Sequence, residues 1–246
     1  MSIFAELDVY QDAAPRMAAM NMALDEALLE RATRASIRVY QWDHLALSFG
    51  YFGKYIDVAE YAVQRDSVRR WTGGGIVFHG DDLTYSVIIP ASAEFFSESA
   101  RSIYAAIHAA LRDVLVASGK RAELASTNCR GSAVAGVGDP GAELTDPCYN
   151  ERSLVKILDE CFAQPVVADV MLNGRKVAGA AQRRTRRGLL QQGSIQQVEL
   201  AQDFVPRFAD ELSTNWTAKE LNKPTIDRAT EIAKGKYQTA AWLRRR

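Results

Sequence analysis

The sequence predicts a mixed α/β fold, because helical patterns are interspersed with runs that are typical of strands. Residues 14–34 and 97–118 repeat apolar side chains at the three-to-four spacing of an amphipathic helix. Residues 37–42 and 45–52 are rich in β-branched and aromatic residues, which favour strands. Residues 83–90 alternate apolar side chains directly after a glycine-rich loop, and this alternation predicts a core strand.

The first predicted helix, over residues 14–34, places Leu24 and Leu28 on its apolar face. Asn21, Asp25 and Glu26 lie within it, and they predict a solvated face. Asn is unfavourable in a helix interior, so Asn21 is also a candidate for contact with a specific group.

The second predicted helix, over residues 97–118, begins with a Ser and Glu pair and ends just before Gly119, a common stop residue. Its apolar stripe includes Ile103 and Ile107. His108 lies beside that stripe, and we expect a packed or half-exposed histidine rather than a ligand.

The remaining segments are shorter or less regular. A short helix is predicted over 56–66, and the Asn173-Gly174 turn predicts a hairpin over about 166–182. A strand is predicted over 189–200, and short helices are predicted over 204–246. The longest predicted loop covers residues 127–150, which are dense in Gly, Pro, Asp and Asn.

The composition is that of an ordinary globular protein. The chain has 246 residues, of which 48% are hydrophobic, and its 30 Lys and Arg balance its 30 Asp and Glu. Net charge therefore gives no argument for nucleic-acid or membrane binding. The N-terminus lacks a signal-peptide pattern, and no apolar run of about 18 residues occurs. We expect a cytoplasmic protein with a single domain over residues 1–246 and no large C-terminal accessory domain.

The three cysteines, Cys129, Cys148 and Cys161, form an odd set without CxxC spacing. This argues against a disulfide framework and against a zinc site, so no metal site is predicted. Each cysteine is expected to be a free thiol that is either buried or reactive.

The glycine-rich loop between Arg70 and His79 contains Gly73, Gly74 and Gly75. Glycines admit positive φ and close approach to their amides, so the loop could hold an anion, a phosphate or a carbonyl oxygen. A simple turn or bulge is the other reading of three glycines alone. The pattern is neither a dinucleotide fingerprint nor a P-loop.

A basic segment begins within the predicted hairpin and continues past its end. Six basic residues lie within 175–187, including Arg183, Arg184, Arg186 and Arg187. A charged strand edge that resists aggregation is the simplest interpretation of the charge alone. Docking of acidic partner proteins is the functional alternative.

Several motifs together resemble the lipoate and octanoate attachment family, which includes lipoate-protein ligases, octanoyltransferases and, more distantly, biotin protein ligases. The matching stretches are RRWTGGGIVFHGDDLTYS, NMALDEALL, GRKVAGAAQRR and LLQQGSI. The resemblance implies a biotin/lipoate protein ligase catalytic-domain fold with small mixed sheets flanked by helices. It also implies catalytic Lys176 and substrate-binding Arg70, Thr72, Gly73, Gly74, Gly75, His79, Gly179 and Ala180.

What the resemblance implies about function is the attachment of an octanoyl or lipoyl group to a specific lysine. The acceptors would be lipoyl domains of 2-oxoacid dehydrogenases and the glycine-cleavage carrier protein. In one branch, octanoyltransferases take the acyl group from acyl carrier protein without a cofactor. In another, ligases use ATP and Mg and form lipoyl-AMP. A non-catalytic binding protein of the same fold is the third alternative.

The stretch CFAQP, which begins at Cys161, resembles the motif of the cysteine-dependent octanoyltransferases, and Gly174 follows at that family's spacing. Cys161 is therefore the expected nucleophile, and the lack of a long C-terminal domain also favours this branch. Two departures oppose it. Asp169 stands where ligases have an Asp, and Gly80 interrupts the usual His-Asp pair, which leaves the role of Asp81 open.

Overall fold

A computed structural model describes residues 2–126 and 165–245 of the chain. The described helices are α1 (Ala18–Arg31), α2 (Ala100–Ala117), α3 (Phe204–Leu212), α4 (Lys223–Ile232) and α5 (Ala240–Leu243). The described strands are β1 (Leu7–Gln11), β2 (Ala35–Tyr40), β3 (Ala46–Phe49), β4 (Asp66–Arg69), β5 (Ile76–His79), β6 (Leu83–Pro90), β7 (Ala122–Leu124), β8 (Val170–Leu172), β9 (Arg175–Arg184), β10 (Gly188–Ile195) and β11 (Trp216–Lys219). The predicted mixed α/β fold is confirmed.

These strands form two sheets. The large sheet has eight strands in the order β11-β1-β2-β6-β10-β9-β8-β7, and the small sheet has the order β4-β3-β5. In the large sheet, β1 pairs in parallel with β2 and β11, whereas the other neighbours are antiparallel. In the small sheet, β3 is parallel to β4 and antiparallel to β5.

The large sheet is covered by helices on both faces. Successive side chains of a strand point to opposite faces, and β6 shows this clearly. Val87 and Ile89 join the core that includes α2 and α3, whereas Ile88 packs with Leu28 and Leu29 of α1 on the other face. Helix α4 packs beside α1. The central strands β2, β6 and β10 are therefore buried on both sides, and they carry buried polar residues as well as apolar ones.

The predicted helices and strands are largely present, but several differ in extent. The first helix begins at Ala18, whose amide donates to the Asp66 carboxylate over 2.8 Å. The predicted helix over 56–66 is wrong, because two short 3-10 turns, Tyr55–Asp57 and Tyr61–Val63, occupy this segment. The helical prediction for 204–246 missed β11, a four-residue edge strand with no buried side chain.

The polar residues of α1 do not form the predicted solvated face. Asn21 and Asp25 are fully buried, because Arg38 of β2 lies against them. The Arg38 guanidinium donates to Asp25 over 2.8 Å, to the Asn21 side-chain oxygen over 2.8 Å and to Asp12 over 2.7 Å. The buried charges are thus paired and hydrogen-bonded, as burial of charge requires.

Arg69, the first arginine of the glycine-loop motif, is also buried and joins distant parts of the chain. Its guanidinium donates to the backbone oxygens of Tyr51 and Gly53 after β3, and to those of Trp242, Leu243 and Arg245 around α5. In return, the Trp242 indole donates to the Arg69 oxygen over 2.9 Å. Arg69 therefore holds the α5 segment against the loop after β3.

None of the helices within residues 2–126 and 165–245 has the length and apolar character that a membrane span requires.

Candidate active site

A cavity of about 480 Å³, including the part that is open to solvent, lies where the large sheet meets the small sheet. Apolar and aromatic side chains form much of its wall: Met22, Tyr40, Trp42, Val77 and Ala181. Its polar lining residues come from six different strands and loops: Ser48, Arg70, His79, Thr84, Lys176, Gln192 and Ser194. An apolar cavity with a few convergent polar groups is the usual form of a small-molecule site.

Lys176 is placed at this cavity by the β8–β9 hairpin. The turn residues Asn173 and Gly174 have φ of 52° and 77°, the left-handed conformation that the Asn-Gly pair adopts readily. The Lys176 ammonium lies 2.8 Å from the Asp169 carboxylate, and both side chains are almost completely buried. A Cβ added to Gly179 would lie only 2.7 Å from the ammonium nitrogen. Gly179 therefore leaves the space that the lysine occupies.

The Asp169 carboxylate is held from several directions. It accepts hydrogen bonds from the Tyr104 phenol and from the Val166 amide, the latter over 2.7 Å. The Tyr104 oxygen in turn accepts the Ala180 amide over 3.1 Å, which connects α2 to the cavity wall. Burial, followed by the Asp169 charge, raises the pKa of Tyr104, so the phenol stays protonated and donates. Asp169 is thus a fixed counter-ion for Lys176.

His108 of α2 contacts the backbone next to Asp169. Its two ring nitrogens lie 2.7 Å from the Ala168 oxygen and 2.9 Å from the Tyr85 hydroxyl. Ala168 has a φ of 70°, which is unusual for a residue with a side chain. Burial lowers the pKa of His108 to about 4, so the ring is neutral at pH 7. The prediction of a packed histidine is confirmed.

Arg70 connects the cavity to the glycine loop. Its guanidinium donates to the Ser48 hydroxyl over 2.7 Å, and to the backbone oxygens of Gly73 and Gly75 over 3.1 and 2.7 Å. Gly74 has a φ of 86°, so the loop uses the left-handed conformation that glycine permits. The carbonyls of this loop therefore face a fixed cation, and the hydrogen bonds of the described residues use none of its three amides.

His79 lies between a serine and a carboxylate at the cavity. Its Nε2 is 2.7 Å from the Ser48 hydroxyl, its Nδ1 is 2.8 Å from Asp82, and its ring stacks on Trp42 at 3.9 Å. An ionised carboxylate can only accept, so Nδ1 carries the proton and Nε2 accepts from Ser48. Burial lowers the pKa of His79, although Asp82 opposes this shift. The partner of His79 is therefore Asp82 and not Asp81.

Asp82 is ionised because it is richly hydrogen-bonded. Burial acts to raise its pKa, but contact with His79, with the Ser194 hydroxyl and with the Gly80 amide brings the pKa below its ordinary value. Thr84 donates to the same carboxylate over 3.0 Å. The position of Asp82, three residues after His79, is a local signal for this contact, whereas no local signal singles out Ser48.

Thr72 and the three glycines are not cavity-lining residues. The Thr72 hydroxyl is fully buried and donates to the Gln192 side-chain oxygen over 2.8 Å. The Gln192 amide then donates to Asp25 over 2.7 Å. Sequence reasoning missed this connection, because it joins three segments that are remote along the chain. Thr72 therefore ties the glycine loop to the buried polar network of α1.

The structure thus brings five of the predicted site residues to one cavity: Arg70, His79, Lys176, Gly179 and Ala180. The predicted nucleophile Cys161 lies outside the described residues, as do Cys129, Cys148 and the predicted loop over 127–150. The described residues contain no group of three or more His, Cys, Asp or Glu side chains that could hold a metal ion.

The four arginines of the basic segment, Arg183, Arg184, Arg186 and Arg187, have different environments. Arg184 donates to the Glu98 backbone oxygen over 2.6 Å and lies over the Phe96 ring. Arg187 approaches Glu30 at 3.4 Å, and Arg186 is exposed. Arg183 instead lies over the aromatic rings next to the glycine loop. The segment is therefore more than a uniformly solvated edge.

The sequence was compared with family models and with curated proteins. A model of the lipoyl protein ligase A/B catalytic domain matches residues 17–220. Octanoyltransferase LipM of Oceanobacillus iheyensis is 34% identical over 230 residues, which cover 89% of this chain and 73% of the relative. Octanoyltransferase LipM of Brevibacillus brevis is 34% identical over 185 residues, which cover 72% of this chain but only 61% of the relative.

The fold has counterparts among solved structures as well. The putative lipoate protein ligase Ta0514 of T. acidophilum, with bound lipoic acid, matches at a TM-score of 0.67 and 17% identity over 99% of each chain. At this identity the similarity shows the fold alone. The family-model match and the sequence relatives show the family: the chain belongs to the lipoyl protein ligase A/B catalytic domain family.

Proposed function

We propose that this protein attaches a medium-chain acyl group, octanoyl in the favoured route, to a specific lysine of lipoyl domains. The observation that carries the proposal is the Lys176 ammonium, held by Asp169 at 2.8 Å beside an apolar cavity. The relatives named octanoyltransferase LipM support acyl transfer as the reaction.

Lys176 is proposed to act on the acyl carbonyl. The apolar wall around Met22 and Val77 suits an alkyl chain, and the carbonyl at its end would then lie near the ammonium. Negative charge develops on that oxygen as the tetrahedral intermediate forms, and a cation fixed in advance stabilises it. Because Asp169 holds the ammonium in the space that Gly179 leaves, little reorganisation is needed during the reaction.

Cys161 is proposed as the nucleophile, on the evidence of its sequence motif. Its thiolate would attack the thioester of the octanoyl carrier protein, so that one C–S bond forms while the other breaks and the carrier thiol leaves. The acceptor lysine amine would then attack the acyl-cysteine, form the amide and release the Cys161 thiol. This route consumes no cofactor, because thioester exchange is nearly isoenergetic.

The proposed partners are acyl carrier protein as donor and lipoyl domains, including the glycine-cleavage carrier protein, as acceptors. Proteins of this kind are typically acidic, and the exposed side of Arg184, Arg186 and Arg187 offers opposite charge. Such charges accelerate association, and salt weakens the effect as the Debye length falls to about 8 Å at physiological ionic strength.

Replacement of Arg184, Arg186 and Arg187 by Gln tests this docking. We expect transfer by the variant to be slower at low salt and less sensitive to salt than transfer by the wild type. Transfer rates are measured with a carrier-protein donor over a range of ionic strengths. Identical salt dependence in both proteins would reduce these arginines to a solubility device.

An ATP-dependent lipoate ligase that forms lipoyl-AMP with ATP and Mg is the second candidate. The Asp169–Lys176 pair favours it, since the ligases carry an Asp at this position. A binding protein without catalysis remains the third candidate.

One assay separates these functions. The protein is incubated with apo lipoyl domain and either octanoyl carrier protein or ATP, Mg and free lipoate, and the mass of the lipoyl domain is measured. Octanoylation with the carrier donor alone is the expected result. Modification only with ATP would assign the ligase, and binding without modification in either mixture would refute catalysis.

A further inference from the structure

Three cations and three aromatic rings form a compact surface beside the glycine loop, which we call the cation–aromatic shelf: Tyr51, Trp71, Arg183, Lys236, Trp242 and Arg245. The Arg183 and Arg245 guanidinium carbons lie 5.0 and 4.5 Å from the centre of the Tyr51 ring, so they are at most 9.5 Å apart. The Lys236 ammonium lies 4.5 Å from the Trp71 ring and 4.4 Å from the Trp242 ring.

The charges of the shelf are incompletely balanced within the described part of the chain. Neither Arg183 nor Arg245 forms a salt bridge with a described carboxylate, and the Arg183 Nε is buried without a hydrogen-bond partner among the described residues. Lys236 has one carboxylate, Glu26, at 2.6 Å. Burial lowers the pKa of Lys236, and the nearby charge of Arg183 adds to this shift. A bound anion would stabilise all three cations at once.

The shelf is continuous with the candidate active site. Arg183 lies two residues after the cavity-lining Ala181 on β9, so the two side chains share one face of the strand. On the other side, the Tyr51 amide donates to the Thr72 oxygen over 2.8 Å, which places the Tyr51 loop against the glycine loop. An anion on the shelf could therefore belong to a molecule that also enters the cavity.

The distance between the shelf and Lys176 indicates which anion fits. The Lys176 ammonium lies level with Gly179, and the four residue-to-residue steps from Gly179 to Arg183 span about 13 Å of strand. The phosphorus of an acyl-adenylate is only two bonds from the acyl carbon, about 2.5 Å at ordinary bond lengths. In a phosphopantetheine thioester, about thirteen bonds separate sulfur from phosphorus, which corresponds to about 16 Å when extended.

We propose that the cation–aromatic shelf binds the phosphate of a phosphopantetheine arm whose thioester lies at Lys176. This inference rests on the proposed function, because it specifies the acyl donor of that reaction as a phosphopantetheine thioester. The arm would cross the glycine loop, with its phosphate bound by Arg183 and Arg245 and its acyl group in the cavity. A donor with the same thioester but no phosphate would lose this contact.

A binding experiment tests the shelf without requiring catalysis. Two of the four tryptophans, Trp71 and Trp242, belong to the shelf, so tryptophan fluorescence is a suitable signal. We expect 4′-phosphopantetheine to bind about ten- to a hundredfold more tightly than pantetheine, as is typical of charge-assisted hydrogen bonds. Arg183→Gln and Arg245→Gln should remove that difference, whereas the exposed control Arg207→Gln should retain it. Arg245→Gln is informative even if Arg183→Gln misfolds, because Arg69 contacts only the backbone of residue 245.

Equal binding of pantetheine and 4′-phosphopantetheine by the wild type would overturn the proposal. Tighter binding of AMP than of 4′-phosphopantetheine would assign the shelf to a nucleotide phosphate and would overturn it as well.

A transfer experiment then connects the shelf to the reaction. With octanoyl-phosphopantetheine as donor, Arg183→Gln should lower kcat/KM about ten- to a hundredfold. With octanoyl-pantetheine, the variant and the wild type should be equal. Equal losses with both donors would contradict phosphate recognition. If phosphopantetheine binds through Arg183 but no donor thioester supports transfer, the proposed function fails and the shelf stands.

Discussion

The stability of the protein in acid tests how the fold holds Asp169, the counter-ion of Lys176. The neighbouring residue Ala168 contacts His108, which is buried and neutral. Its pKa is about 4 in the folded protein, against about 6.5 in an unfolded chain. Between these values the unfolded state binds a proton that the folded state refuses, so stability increases with pH. The contribution of His108 is fully present above pH 6.5 and is lost as the pH falls towards 4.

The structure gives the size of this effect. Integrating the proton linkage for His108 between pH 7 and 4.5 predicts a loss of about 2 kcal/mol in the free energy of unfolding. The pKa of His79 is also lowered by burial and contributes with the same sign. His44 is exposed and its pKa is raised by Asp43, so its contribution has the opposite sign.

His108→Gln isolates the contribution of one histidine, because the other groups are common to both proteins and cancel. Gln keeps a donor and an acceptor for Ala168 and Tyr85 but cannot become charged. Urea unfolding at pH 7 and at pH 4.5 gives the free energy of unfolding of the wild type and of the variant. We expect the wild type to lose about 2 kcal/mol more than the variant on acidification. Equal losses would refute the assignment of His108 as a buried neutral residue.

Two further predictions concern Lys176 at the cavity and the hydrogen bonds of Arg69 to the α5 segment. Lys176→Ala should lower the turnover of octanoyl transfer about a hundred- to a thousandfold at unchanged folding, because one transition-state donor is lost; an unchanged rate by mass spectrometry would mean that Lys176 is only structural. Arg69→Gln should release the α5 segment, because its backbone oxygens at Trp242, Leu243 and Arg245 lose their shared donor. Hydrogen exchange should then accelerate at residues 240–245, and unchanged protection there would show that other contacts hold this segment.

Local patterns were sufficient for the elements that carry the family motif. Residues 83–90 were predicted as a strand and form β6 over the same range, because alternation and a glycine loop are both local signals. The Asn173-Gly174 turn likewise predicted the hairpin that positions Lys176. The predicted family and mixed α/β fold are confirmed, and five predicted site residues share one cavity.

Features that depend on tertiary contacts could not be read locally. A helical pattern marks Asp25 as a polar residue, but only the approach of Arg38 from β2 shows why it is buried. The same holds for Asp82, because Asp81 and Asp82 are adjacent in the sequence and only the turn between β5 and β6 shows which carboxylate reaches the His79 ring. The assignment of Cys161 stays a prediction from its motif.

The most direct test of the proposed reaction is the intact mass of the enzyme itself after exposure to octanoyl carrier protein alone, without ATP and without acceptor. We predict one octanoyl adduct on the wild type that neutral hydroxylamine removes, as expected for a thioester, and none on Cys161→Ser. Cys129→Ser and Cys148→Ser serve as matched controls and should both carry the adduct. Octanoyl transfer by Cys161→Ser at the wild-type rate, with no adduct on either protein, would contradict the acyl-cysteine route.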